Sequence, residues 1–152
     1  MSRYKLKSGR KAVPDESGDI AEKIVRRTGA KVASRTLLPD DGRLLKGAVL
    51  RALGEDDLDV VLLTGGTGVS TTDVTIESVR PLFEKEIEGF GEVFRAVSYQ
   101  RIGPAAALSR ATAGVAKGKL VLCLPGSPDA VKTALELFIA EVPHILTLAR
   151  GR

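Results

Sequence analysis

The chain has no tryptophan, one methionine, one cysteine and one histidine among its 152 residues. Each scarcity removes a class of function. Cys123 cannot staple the chain by itself, and within the apolar run LVLCL it reads as an inert buried thiol. A lone thiol also fits a reducing cytosol better than secretion. His144 stands in VPHILTL with no second His or Cys to share a metal. Two tyrosines and no recognisable nucleic-acid motif argue against a polynucleotide partner. No apolar stretch approaches the roughly eighteen residues of a membrane span. The start, MSRYKLKSGRK, has no apolar signal segment. The expectation is a cytoplasmic protein that needs neither membrane nor nucleic acid.

What is present is ordinary for a globular chain: 43% hydrophobic and 28% charged residues. With no repeat, linker or low-complexity tract, residues 1–152 read as one domain with a real core. The formal charge of +4 is densest at Arg3, Lys5, Lys7, Arg10 and Lys11. That segment reads as a solvated basic stretch or a nucleic-acid arm. The first is favoured, with a small anionic ligand ahead of a polynucleotide.

Hydrophobic periodicity alternates between strand and helix. DESGDIAEKIVRR reads as a helix with Ser17 as its cap and Ile20, Ile24 and Val25 as its apolar stripe. Gly29 stops it. KVASRTLL reads as a strand, and LLKGAVLRAL as a helix presenting Leu44, Leu45, Ala48, Val49 and Leu53 on one face. DVVLLT and KLVLCLP are continuous apolar runs, the pattern of parallel strands covered on both sides. VTIESVRPLFEKEI reads as a helix broken at Pro81, PAAALSRATAG as a second helix, and DAVKTALELFIAEV as a third. Such alternation predicts an open α/β sheet with helices on both faces and ligands beyond the carboxyl ends of its strands. One element is lacking: residues 1–14 contain no apolar opening strand.

Three loops fall at strand ends. In LLTGGTGVSTTDVT, Gly65, Gly66 and Gly68 permit positive φ and leave no Cβ between backbone and ligand. Converging N–H groups there can cradle an anion, and Thr64, Thr67, Ser70, Thr71 and Thr72 add neutral donors. The loop matches neither GxxxxGK[ST] nor GxGxxG. Asp73 beside a phosphate cradle implies a cation between the charges, Mg²⁺ being the natural one. It reads equally as a cap for the helix near Val74. In LLPDDG, Asp40 and Asp41 read as a polar turn or as partners of Asp73 in a metal or base site. In LPGSPD, Gly126 permits close backbone approach, while Ser127 and Asp129 are candidate caps beside Pro128.

Taken in order, DESG, PDD at a strand end, TGGTG with Asp73 five residues beyond Gly68, GFGE, AALSRATAG and LPGSP resemble the MoaB/Mog family of molybdenum-cofactor biosynthesis. The resemblance runs from about Ser2 to the C-terminus. It implies the molybdopterin-binding fold, a three-layer α/β/α domain with a mostly parallel sheet, assembled as a trimer or as a hexamer built from trimers. Ser2-Arg3 resembles the pair that follows the family's first strand, so that strand, which helps bind nucleotide, is expected to be missing. The implied activity is molybdopterin adenylyltransferase: Mg-ATP adenylylates the molybdopterin phosphate and releases pyrophosphate. By the same resemblance, Asp40 and Asp73 are the catalytic and Mg²⁺-holding acids. Gly65, Gly66, Thr67, Gly68 and Ser70 form the molybdopterin-phosphate loop, and Pro125, Gly126, Ser127 and Pro128 the second binding loop. The chain departs from many members at Thr72, where they carry Arg before the acid. That departure keeps a second reading open, a non-catalytic molybdopterin-binding scaffold. A CinA-type domain with pyrophosphatase chemistry fits less well, because its glycine loop usually differs from TGGTG.

Overall fold

A computed structural model describes residues 2–5 and 14–152. Its elements are β1 (Ser2–Lys5), α1 (Glu16–Arg27), β2 (Arg35–Leu37), α2 (Gly42–Leu53), β3 (Val60–Thr64), α3 (Thr75–Val79), β4 (Lys85–Glu86), α4 (Glu88–Ile102), β5 (Thr112–Ala116), β6 (Lys119–Leu124), α5 (Pro128–Phe138) and α6 (Val142–Ala149). Short 3₁₀ turns occupy 80–82, 103–108 and 139–141.

Every residue of β6 is buried, because this strand lies inside the sheet order β3-β6-β5-β4 and is covered on both faces. Alternation along the strands sorts side chains between two cores. Leu62, Leu120, Leu122 and Leu124 point to one side, where Ala21 of α1, Phe90 and Phe94 of α4 and Val131, Ala134 and Leu135 of α5 meet them. Phe90 and Phe138 add a tilted ring pair with centroids 4.4 Å apart on that side. Val61, Leu63, Val121 and Cys123 point to the other side, against Leu45, Val49 and Leu53 of α2 and Ile76 and Val79 of α3. The result is the expected three layers. Each fully buried Val, Leu or Phe contributes about 1.5–3 kcal/mol to holding them together.

β3 and β6 run parallel, as do β1 and β2 in a separate two-stranded unit. The far edge is antiparallel, β4 against β5 and β5 against β6. The first described strand, SRYK, is short and polar in sequence. Of the basic segment, Lys7, Arg10 and Lys11 lie outside the described residues.

Several local expectations are corrected. Asp15, not Ser17, caps α1, accepting a hydrogen bond from the Gly18 N–H at 3.0 Å. The KVASRTLL strand shrinks to Arg35–Leu37, and Leu44 is 47% exposed rather than on the buried face of α2. The break at Pro81 occurs, but residues 85–86 beyond it are strand rather than helix. PAAALSRATAG is no helix: a 3₁₀ turn ends at Leu108 and β5 begins at Thr112. Lys117 and Gly118, both at positive φ, turn β5 back into β6, a two-residue hairpin signal that outweighs the alanine-rich composition. Helix α4 is not apparent in the sequence, because Gly89 and Gly91 weaken its propensity. A Cβ at Gly91 would lie 2.6 Å from the Ala111 carbonyl oxygen, so this glycine lets α4 approach the chain entering β5.

Candidate phosphate-binding site at the strand ends

Parallel pairing of β3 with β6 in the register Thr64↔Leu124 makes both strands end at the same level. The TGGTG and PGSP loops therefore leave the sheet side by side. The Gly65 N–H donates to the Leu124 carbonyl at 2.9 Å, extending the ladder by one rung. Gly65 then takes φ +90° and Gly66 φ +68°. A Cβ on Gly126 would lie 3.1 Å from the Gly65 Cα. Two glycines thus bring two backbones into contact where side chains would hold them apart. This puts Gly65, Gly66, Pro125, Gly126, Ser127 and Pro128 in one place, at the strand-end position where α/β sheets bind ligands.

The glycine loop is anchored from both sides. Thr75, at the start of α3, donates its hydroxyl to the Gly65 carbonyl (2.8 Å) and its N–H to the Gly66 carbonyl (3.0 Å). Arg110 donates its N–H to the Thr67 carbonyl (3.1 Å) and its Nε–H to the Gly68 carbonyl (2.9 Å). The Arg110 guanidinium also pairs with Glu77. The hydrogen bond from Arg110 holds the Glu77 carboxyl below its usual value. In return the Glu77 hydrogen bond raises Arg110 against partial desolvation, and the Asp73 charge adds to the rise. Thr67 is almost wholly buried, whereas Val69 and Ser70 stand exposed at the loop tip.

Asp73 is half-buried and does not cap α3; the N-cap position, Val74, makes no side-chain cap bond. Instead Asp73 Oδ2 accepts the Ser70 N–H at 2.9 Å, folding the loop back on itself. Its Oδ1 makes no hydrogen bond among the described residues. Asp41 is the cap of α2, accepting from the Arg43 and Leu44 N–H groups at 2.8 and 3.1 Å. That removes Asp41 from the candidate acids and leaves Asp40 exposed, with no bonded partner among the described residues and no bond to Asp73. The PDDG loop lies against α3: a Cβ on Gly42 would meet Ser78 Oγ at 2.8 Å.

No group of three or more His, Cys, Asp or Glu side chains poised for a metal occurs among the described residues. Mg²⁺ does not need such a group, since it can be held by one or two carboxylates with substrate phosphates and water completing its octahedron. Asp73 Oδ1 and the Asp40 carboxylate are the acid oxygens here with no hydrogen bond among the described residues.

Ser127 caps α5 by accepting from the Ala130 N–H at 3.3 Å, behind Pro128 at the first helical position. Asp129 lies in the first turn but is not the cap. Two contacts that hold these loops are not apparent in the sequence. One is Arg110, in the segment AALSRATAG, whose bonds to Thr67 and Gly68 span 42 residues or more. The other is Ser17, whose hydroxyl donates to the Gly126 carbonyl at 2.6 Å across 109 residues. The start of α1 is held in turn by Arg35 of β2, which pairs with Asp15, Asp19 and Glu22. Burial disfavours the Arg35 charge, yet these three acids raise its pKa overall. Only the DESG string hinted at such a role. Ser17→Ala is expected to cost about 1 kcal/mol in thermal unfolding. Because the bond reaches the PGSP loop, the variant should also weaken phosphate-ligand binding several-fold, measured by titration calorimetry. Unchanged binding would make the contact purely architectural.

Fold and site together define an α/β domain with two glycine loops side by side at its strand ends and an acid folded back over one of them. Residues 5–144 match the family model described as "Probable molybdopterin binding domain", and the chain belongs to that family. The "Probable molybdopterin adenylyltransferase" of Methanocaldococcus jannaschii is 41% identical over 145 residues, covering 95% of this chain and 86% of that protein. The "Molybdopterin adenylyltransferase" of Pyrococcus furiosus is 46% identical over 140 residues, covering 90% and 81%. Among solved structures, the tungsten cofactor synthesizing protein MoaB from Pyrococcus furiosus superposes with a TM-score of 0.84 at 43% identity, covering 94% of this chain and 89% of that one. No helix among the described residues is long and apolar enough to cross a membrane.

Proposed function

We propose that the chain is a molybdopterin adenylyltransferase that transfers the adenylyl group of ATP to the terminal phosphate of molybdopterin. The observation that carries this reading is the contact between the TGGTG and PGSP loops, Gly126 against Gly65, with Asp73 folded back over the same loop. Relatives at 41% and 46% identity that bear this activity in their names support it.

The reaction asks little covalent chemistry of the protein. A phosphate oxygen of molybdopterin forms a bond to the α-phosphorus of ATP, and the bond to pyrophosphate breaks. The chain has to align the two phosphates and offset their charge. Backbone from Gly65 to Gly68, with Ser70, and the PGSP backbone from Pro125 to Pro128 hold the pterin phosphate. Thr67 contributes main chain more than side chain, being buried. Asp73 and Asp40 would hold Mg²⁺, which supplies charge neutralisation on the triphosphate. Thr72 shares a neutral hydroxyl contact with Ser70, 3.1 Å apart, so the cationic help must come from elsewhere. The assembly proposed is a trimer or hexamer in the cytoplasm, with Leu148 of α6, 63% exposed, as one contact residue.

The test mixes purified protein with molybdopterin, ATP and Mg²⁺ and follows pyrophosphate and adenylylated pterin. Turnover is expected in the wild type. Asp40→Asn should lose on the order of 10–10²-fold, chiefly through a raised Mg²⁺ requirement. Pterin binding without turnover or ATP binding would replace the enzyme with a non-catalytic scaffold.

A further inference from the structure

Arg110 stands 42 residues from the glycine loop in sequence, yet two of its N–H groups are spent on that loop's carbonyls. The bonds are specific in where they fall. Thr75 secures Gly65 and Gly66, the inner half of the loop. Arg110 secures Thr67 and Gly68, the outer half, from the segment just ahead of β5. Gly68 is also where Asp73 packs: a Cβ there would lie 2.7 Å from Asp73 Oδ2. The Gly68 residue is therefore held between the Arg110 Nε–H and the Asp73 carboxylate. Its carbonyl takes the first, and its missing Cβ makes room for the second.

We infer that Arg110 is a positioning residue of the adenylyl-transfer site, acting through the Gly68 carbonyl to set where Asp73 points. This rests on the activity proposed above. The guanidinium divides its labour. Nε serves the loop, and the terminal nitrogens pair with Glu77 on α3. The Glu77 pair orients the guanidinium plane and ties it to the helix that follows the loop. The field of Asp73 falls on the same cation. A carboxylate–guanidinium pair this exposed contributes little stability by itself, so the consequence of the arrangement is geometric. Without the Nε bond, the outer half of the loop keeps the main-chain bond from Arg110 to Thr67, but Gly68 loses the anchor of its carbonyl and the Ser70–Asp73 closure packed against it loosens.

Two substitutions separate this role from a merely structural one. Arg110→Lys keeps the charge and a nitrogen able to reach Glu77, but has no N–H at the position of Nε. Glu77→Gln removes the charge pair and leaves the Nε bond to Gly68. Amide hydrogen exchange at Ser70, whose N–H is held by Asp73, reports the loop without any turnover. Exchange there should quicken about tenfold in Arg110→Lys and stay within about twofold of wild type in Glu77→Gln. In the transfer assay Arg110→Lys should lose about tenfold in kcat with the KM for ATP unchanged, because positioning acts on the transition state. Thermal unfolding of both variants identifies any that fail to fold. Should Arg110→Lys leave Ser70 exchange at the wild-type rate, or Glu77→Gln match it in every readout, the inference is overturned. If the wild-type protein binds molybdopterin without adenylylating it, the enzymatic reading falls. The exchange experiment then still decides whether Arg110 positions the loop.

Discussion

Asp73→Asn is expected to lower adenylyl transfer by on the order of 10²–10³-fold while molybdopterin still binds. The argument turns on which of the side chain's contacts survive. Asp73 Oδ2 accepts the Ser70 N–H at 2.9 Å, and an asparagine amide oxygen can accept the same bond. Loop closure is thus preserved, along with the Arg110 bonds to Thr67 and Gly68, which do not involve Asp73. The negative charge is lost, and with it the oxygen left for Mg²⁺. A stability change within about 0.5 kcal/mol accompanies it. Pterin affinity by calorimetry and turnover by pyrophosphate release measure the two halves separately. If turnover survives the substitution, the acid is a loop fastener and no more. If affinity collapses together with turnover, the loop has not kept its shape.

Gly66→Ala carries the largest expected structural effect in the site. Gly66 has φ +68°, where an L-residue costs roughly 1–2 kcal/mol. Its new Cβ would lie 2.4 Å from Thr75 Oγ1. That hydroxyl donates to the Gly65 carbonyl and is fully buried, so turning it away breaks an inner anchor of the loop. Together these effects cost about 2–3 kcal/mol. At this chain length that lowers Tm by roughly 4–12 °C. Gly89→Ala is the matched control: Gly89 lies in the first turn of α4 with nothing within 4 Å of an added Cβ. There the same change should raise stability by about 0.5–1 kcal/mol. Equal unfolding temperatures for the two variants would show that neither the positive φ nor Thr75 constrains the loop. Molybdopterin binding should weaken in Gly66→Ala and remain unaltered in Gly89→Ala.

Assembly of the site from distant segments explains why some of it was readable in sequence and some was not. Local rules suffice for a loop whose residue types name its backbone. Gly-Gly after an apolar run must turn, and Ser-Pro-Asp after another must start a helix. The acids were harder. Asp40, Asp41 and Asp73 are chemically alike; Asp73 fits a helix cap on paper, and Asp40 and Asp41 fit a polar turn. Tertiary contacts separate them, since Asp41 accepts from two N–H groups of α2 while Asp73 reaches back to Ser70. PAAALSRATAG failed for a related reason. Alanine-rich composition favours helix, but β5 is completed by pairing with β6 through a tight turn, and strand pairing depends on a partner no local window contains.

The amino-acid sequence by itself determined the α/β class, the buried strands VVLLT and KLVLCL, and the two loops that follow them, because apolar periodicity and glycine placement act within a few residues. Tertiary structure alone decided that Gly126 meets Gly65, that Ser17 holds the Gly126 carbonyl, and that Arg110 grips Gly68. Those contacts join segments 42 to 109 residues apart, and only the parallel register of β3 with β6 and the packing of α1 and α3 around it bring them within bonding distance.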